Sequence, residues 1–457
     1  MADPIIDGIN DPVSSWRRRK NSIEEHADSI GVFPCLPDSA EVPGPVIFYR
    51  PDEVLTTDPA GVLQTVELVN GIRPGRIGLE PIAEYRPEKA ESDPGVTTFR
   101  VFGDPALDAV ELAHVLRHYR PDLPVAPHHL LTPGQRVGGN APPLPPFADR
   151  AKPAAAVRSR LGVGWRAGLV DTGMIETSDV QAMAAAGGLR YRVPQDVETP
   201  DVDGDGVIDF ESTGHGTFIS SQLWRSGLDV DVVRVVVDPP MGDAFAEEMS
   251  IVRAVDSIGA DPDVKLIVIC MGTYELVDLP LVGLRAAARR WAADPAFADR
   301  LVVCAAGNGT RSDRWFPAGF SADHWTGDLF VAVGSADFAR PAVEGVDCAK
   351  ASEPFDPWRI APSDFSNFGT WVNAWANGVD VHSHYAEALD YRYDLPDGSA
   401  DTQPFDGWAR WSGTSFAAPR AASRIAEHAA AQGLDPRAAW RSMALGRPWV
   451  LFPPKAR

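Results

Sequence analysis

The rhythm of hydrophobic positions changes along the chain. From about residue 155, short and nearly unbroken apolar runs alternate with longer mixed segments. WRAGLVD, VDVVRVVV, VKLIVIC, RLVVCAAG and LFVAVGSA have strand length. FAEEMSIVRAVDSIG, LVGLRAAARRWAAD and FAAPRAASRIAEHAAAQG are helix candidates. Apolar strands separated by helices predict an α/β fold, a doubly wound and mostly parallel sheet covered on both faces. This pattern extends over residues 155–457.

Residues 43–131 carry a different pattern. Val46 to Tyr49 is a β-type run. Asp58-Pro59 opens a helix that stops at Gly71. LEPIAEYR and VTTFRVF predict two strands. A second helix is expected from Asp104-Pro105 to Tyr119, with Leu112, Val115, Leu116 and Tyr119 on one face. VAPHHLL predicts a closing strand. The order β-α-β-β-α-β is that of a small α+β, ferredoxin-like domain. Residues 1–42 form no unit and are expected to be an arm, in which Trp16 to Ala27 has the composition of a polar helix. Residues 132–154 are rich in Gly and Pro and predict a linker.

Composition narrows the function. Of 457 residues, 44% are hydrophobic and 23% charged, as in ordinary globular proteins. Lys+Arg is 42 against Asp+Glu 63, a net charge of −21. Such an acidic chain is not expected to bind nucleic acid or an anionic membrane. No apolar run approaches the roughly 20 residues of a membrane span. The N-terminal segment has no apolar stretch behind its basic residues, so a cytoplasmic location is expected. Cys35, Cys270, Cys304 and Cys348 make no CxxC pair and no disulfide framework.

Active residues of open α/β sheets sit at the carboxyl ends of strands. Three such ends stand out. Asp171 ends AGLVD, either as a half-buried carboxylate with a partner or as a helix cap. His215 in TGHGTF lies between two glycines that permit close approach of another segment. Ser415 in SGTSFAAP begins an Ala-rich helix with Pro419 in its first turn. A serine needs a base to become a nucleophile, and a carboxylate can orient that base. Asn308, after LVVCAAG, offers an amide donor for an oxyanion. The other histidines lack this setting. His382 and His384 alternate on a strand, which suggests a solvated edge rather than a metal pair.

LVDTGM, GHGTFISS, AAGNG and SGTSFAAP, in the order Asp, His, Asn, Ser, resemble the subtilisin-like serine proteases, the subtilases, over residues 155–445. The resemblance implies Asp171 as orienting acid, His215 as base, Ser415 as nucleophile and Asn308 as oxyanion donor. It implies a serine endopeptidase acting on polypeptides through an acyl-enzyme, without an organic cofactor. CMGTYEL resembles the strand that pairs with substrate, which brings in Met271, Gly272 and Thr273. FSNFG with VNAWANGVDV resembles the segment before the nucleophile, with Ala-Asn-Gly in place of the usual Ala-Pro-Gly. The 43–131 domain is similar in element order and position to the subtilase propeptide, and would then be an intramolecular inhibitor. Aligning Phe316-Pro317 with the family's aromatic-Pro pair puts Trp315 on the floor of the first specificity pocket. Trp315 there would make the pocket shallow; the other reading turns it away against an inserted loop.

The chain departs from the family in having little room after GHGTFISS for the usual calcium loop. Two insertions, 339–362 and 386–410, are expected to shape the cleft. Asp201, Asp203, Asp205 and Asp209 have the alternation of a calcium loop, without its twelfth-position Glu, so a calcium site and a solvated acidic turn both stand. A peptide ligase or cyclase of the same fold, or a silent peptide-binding relative, would use the same framework. A sedolisin-like protease would lack GHGT.

Overall fold

The computed structural model describes residues 31–34, 46–72, 76–82, 95–104, 107–133, 147–148, 160–209, 212–236, 245–275, 279–337, 361–394, 400–447 and 450–452. The N-terminal part holds β1 (Gly31–Pro34), β2 (Val46–Thr56), α1 (Pro59–Ile72), β3 (Arg76–Pro81), β4 (Thr97–Asp104), α2 (Ala109–Tyr119) and β5 (Val125–Leu131). Then come β6 (Phe147–Ala148), β7 (Arg166–Asp171), α3 (Ser178–Ala185), β8 (Leu189–Arg190), α4 (His215–Arg225), β9 (Val230–Arg234), β10 (Ala246–Glu247) and α5 (Glu248–Gly259). They are followed by β11 (Val264–Ile269), β12 (Thr273–Tyr274), α6 (Val282–Ala293), β13 (Leu301–Ala305), β14 (Trp315–Phe316), β15 (Phe330–Asp337), β16 (Ala361–Pro362) and β17 (Ala374–Ala376). The chain closes with β18 (Val381–Asp394), β19 (Ala400–Trp411), α7 (Thr414–Gln432), α8 (Pro436–Ala444) and β20 (Val450–Phe452).

The main sheet has the order β20-β17-β15-β13-β11-β7-β9-β8, parallel between these neighbours, with β16 added antiparallel to β15. Alternate residues of its central strands serve opposite faces. Leu266 and Val268 of β11 enter one core with Phe218 of α4 and Ile425 of α7. Ile267 and Ile269 enter the other with Val255 of α5 and Leu284 of α6. Burial on both faces explains the unbroken apolar runs. The expected α/β architecture is the one found.

The N-terminal sheet is antiparallel in the order β5-β2-β4-β3, as the split β-α-β-β-α-β pattern predicts. Phe99, Leu112 and Leu116 lie in its own core. Three expectations need correction here. Residues 31–34, assigned to the arm, pair with β2. The second helix starts at Ala109 because Asp108, not Asp104, caps it through Val110 N at 2.8 Å. The LEPIAEYR strand begins earlier, at Arg76. The Trp16 to Ala27 segment, Cys35 and Cys348 lie outside the described residues.

The two parts share packing. Glu247 and Ala246 of β10 pair with Leu130 and Leu131 of β5. Leu279 belongs to the N-terminal core, and Leu55, Ala126 and Leu131 to a core of the main sheet. Arg50 donates to Glu247 at 2.6 Å, and His128 Nδ1 lies 2.7 Å from Glu53 Oε2. Met249 N donates to His128 Nε2 at 3.4 Å, so the ring proton sits on Nδ1.

Within the expected linker, Phe147–Ala148 pairs with β19. The 386–410 segment is no loose insertion: it forms most of the β18–β19 hairpin. The hairpin packs on α4, with Ser383 Oγ donating to Phe218 O at 2.7 Å. Its His384 is buried against Trp408, with Nδ1 3.2 Å from Asp179, and is not a solvated edge residue. Of the 339–362 insertion, only Ala361–Pro362 is among the described residues. Among the described residues no helix is long and apolar enough to cross a membrane.

Candidate functional site

Four sequence-predicted residues gather at the carboxyl ends of the central strands of the main sheet. Asp171 is the last residue of β7 and fully buried. Its Oδ1 accepts from Thr172 N at 2.8 Å and lies 2.7 Å from His215 Nδ1. A carboxylate only accepts, so the imidazole carries a proton on Nδ1, the nitrogen turned towards Asp171. Asp171 therefore holds the histidine ring and caps no helix. Oδ2 accepts no hydrogen bond from the described residues.

His215 is the first residue of α4. Its position depends on close backbone approach. A Cβ on Gly216 would lie 2.3 Å from Gly173 O, so only glycine lets α4 touch the turn after β7. Gly214 has φ +75, and a Cβ there would meet Tyr385 at 2.6 Å. Trp411 and Phe416 enclose the imidazole at ring distances of 5.6 and 5.5 Å. Because Phe416 follows Ser415, the first turn of α7 sits directly beside the histidine.

Ser415 is the second residue of α7, which starts two residues before the helix predicted from FAAPR. Pro419 therefore falls in the second turn. It has no N–H for the carbonyl of Ser415, four residues back. Cys270 Sγ donates to that carbonyl instead, at 3.4 Å. Ser415 Oγ lies 3.4 Å from Cys270 O. The buried thiol, its pKa pushed well up by desolvation, stays protonated and suited to donate.

Asn308 follows β13. Its Oδ1 accepts from Thr414 N at 2.8 Å and Thr414 Oγ1 at 2.9 Å. Thr414 Oγ1 also accepts from Gly307 N at 3.0 Å. These bonds fix the amide with its oxygen occupied and its Nδ2 facing Gly413. An N–H pair held this way beside a serine suits a developing oxyanion.

Met271, Gly272 and Thr273 extend β11 past Ser415. Gly272 exchanges both backbone hydrogen bonds with Thr132, each at 2.9 Å, so the chain leaving β5 lies along this edge. Thr273 and Tyr274 pair with Phe316 and Trp315. Met271 and Trp315 are buried, and the Trp315 indole packs on Gly272 and Gly307.

Glu198 belongs to the site although no motif marks it. Its Oε2 accepts from Gly214 N at 3.0 Å and Thr172 Oγ1 at 3.2 Å. Thr172 Oγ1 in turn accepts from Gly216 N at 3.0 Å. Glu198 thus ties the turn after Asp171 to the start of the His215 helix. Burial pushes its pKa up to about 8, with the charge of Asp171 adding to the rise; the Gly214 N–H, Thr172 hydroxyl and Arg234 oppose it. A carboxyl whose folded pKa exceeds its ordinary 4.5 favours folding at low pH. That contribution is full below about pH 4.5 and is lost as pH rises through about 8. The residue keeps part of its surface, so the expected swing is a few kcal/mol at most. Glu198→Gln keeps an acceptor for Gly214 N and should flatten the fall in melting temperature between pH 5 and pH 9. An unchanged profile in the variant would place the titrating group elsewhere.

The acidic loop stands apart. Asp201, Asp203 and Asp209 can place one carboxylate oxygen each within 4.8 Å of one another, while Asp205 is outside this group. Asp201 already accepts from Gly204, Asp205 and Gly206 N–H groups, and Asp209 from Val202 N. Asp205 caps Val207 N. These bonds to backbone N–H groups hold the turn together.

The model of the family described as the subtilase family matches residues 170–443, more than half of the chain. No curated protein sequence matches the chain. Among solved structures, the prenylagaramide maturation protease PagA is 18% identical, covering 61% of this chain and 82% of its own, with a TM-score of 0.39. Fervidolysin from Fervidobacterium pennivorans, a keratinolytic enzyme related to subtilisin, is 15% identical, covering 92% of this chain and 61% of its own, with a TM-score of 0.47. A cold adapted subtilisin-like serine proteinase is 17% identical, covering 68% and 97%, with a TM-score of 0.39.

Proposed function

The chain belongs to the subtilase family, and from that premise we propose that it is a serine endopeptidase using Asp171, His215, Ser415 and Asn308. The observation that carries this reading is the buried 2.7 Å bond between Asp171 and His215 beside the first turn of α7. In the proposed reaction His215 Nε2 takes the proton of Ser415 Oγ as the oxygen attacks a peptide carbonyl carbon. Asp171 holds the Nδ1 proton and stabilises the imidazolium. Asn308 Nδ2 donates to the oxyanion. Collapse breaks the C–N bond, and the leaving amine takes the proton from His215. Water then repeats the sequence and releases the carboxylate. A phosphonate probe should label Ser415, and a peptide library read by mass spectrometry should show hydrolysis. Failure of both would remove the assignment.

The N-terminal domain is proposed to act as an intramolecular inhibitor, because Thr132 occupies the strand edge at Gly272 where a substrate would pair. Arg50 joins this domain to Glu247 of the catalytic part. Arg50→Glu places like charges at that contact, which costs up to several kcal/mol. It should raise hydrolysis of added peptides at least about tenfold. Unchanged activity with a normally folded variant would count against inhibition.

A further inference from the structure

The seam between α4 and α7 holds two arginines without a counter-charge. The helices lie side by side and run in the same direction. Near their starts the rings of Phe218 and Phe416 are 4.6 Å apart, and at the end of α4 Ser226 Oγ lies 2.9 Å from Ser423 Oγ. Residues four and seven apart share one face of a helix. Arg225 comes seven residues after Phe218, and Arg420 four after Phe416, so both belong to the seam that these contacts bracket. The buried Trp408 of β19 walls it, with the Arg225 guanidinium 4.9 Å from the ring centroid. A ring contact satisfies none of the five N–H donors of a guanidinium.

Both arginines are only partly exposed. Among the described residues neither has a carboxylate partner, and the charge acting on Arg420 is that of Arg225. Nearby carboxylates are committed elsewhere: Asp179 to His384 at 3.2 Å, Asp380 to Arg410 at 3.2 Å, and Glu427 to Arg424 at 2.9 Å. With 63 acidic residues to 42 basic ones, the missing counter-charge is not for want of acids. Burial pulls the pKa of both groups below the ordinary arginine value, and the charge of Arg225 adds to this for Arg420. An arginine still stays charged in a protein. Two like charges held together away from water cost free energy until an anion joins them. The dipole at the end of α4 offsets part of that cost for Arg225, while Arg420, in the second turn of α7, has no such relief.

We infer that Arg225 and Arg420 bind a phosphate-class dianion, as the free ion or as the phosphate group of a small monoester. Two negative charges match two guanidinium groups, and tetrahedral oxygens can accept from both; a carboxylate would leave one charge over. The site lies about 15 Å along α4 from His215, on the rise of a helix. It uses none of Asp171, His215 and Ser415, so it stands or falls apart from the peptidase reading.

The test is calorimetric titration of the purified full chain with inorganic phosphate, methyl phosphate and acetate at constant ionic strength, with melting curves alongside. Phosphate should fill one site and raise the melting temperature by at least about 2 °C at saturation. Acetate should bind at least about tenfold more weakly. Binding of methyl phosphate as well assigns a site open to monoesters, and its exclusion assigns the free ion. Arg225→Met and Arg420→Met keep the apolar stem and should each weaken phosphate at least about tenfold. Should a variant fail to fold, the selectivity of the native chain for phosphate over acetate decides. Absence of phosphate binding to the native chain, equal binding of acetate, or a phosphate-induced melting shift that persists in the double variant as a general salt effect overturns the inference.

Discussion

Ser415→Ala is expected to lower peptide turnover by about a millionfold, the loss that removal of the nucleophile causes in subtilisin. The structure makes this a clean substitution. Ser415 Oγ has one long contact, 3.4 Å to Cys270 O, so little folding energy depends on it. The backbone of the turn is held by other groups: Thr414 by Asn308, and the Ser415 carbonyl by Cys270 Sγ. Melting temperature should therefore stay within about a degree or two of the native value, because no short hydrogen bond is lost. Turnover measured over days, with phosphonate labelling as a second readout, decides the matter. Labelling that persists in the variant would place the nucleophile elsewhere.

Asp171→Asn should cost about ten-thousandfold in kcat with little change in KM, because the aspartate touches no substrate. Asp171 Oδ1 serves both Thr172 N and His215 Nδ1, while Oδ2 is buried without a donor. An asparagine keeps both bonds only by placing its NH2 in the enclosed Oδ2 position. In the opposite orientation it faces His215 with a donor and forces the other tautomer, which protonates Nε2. Either orientation removes the charge that stabilises the imidazolium. A loss below about tenfold would show that His215 acts without this partner.

The main sheet and the four residues that meet at the ends of its strands were legible because each rests on local pattern. Buried parallel strands leave apolar runs, and AGLVD, GHGT, AAGN and SGTS each mark a strand end or helix start. The hairpin was not legible as one. Ala388 has φ +59, and the ladder shifts register around Glu387, so the two-residue alternation breaks midway through β18. Helix α3 is eight residues long and buries only Val180 and Met183, too few to show a period. Glu198 left no trace because its partners, Thr172 and Gly214, are 26 and 16 residues away. Trp315 was placed from a neighbouring Phe-Pro pair, but the glycines it packs on, Gly272 and Gly307, come together only through the β11–β13 pairing.

The interlocked cores of the two parts bear on how the molecule would behave after its linker is cut. Leu279 completes the N-terminal core, and Leu55, Ala126 and Leu131 are embedded in the other. A single cut in the linker breaks one covalent bond and none of this packing. The fragments would remain together as a non-covalent heterodimer, and what was one chain's fold becomes an association governed by mass action. With the inhibition proposed above, activity would then carry a memory of dilution: suppressed in concentrated stock, and released with a lag set by the rate at which the N-terminal fragment departs.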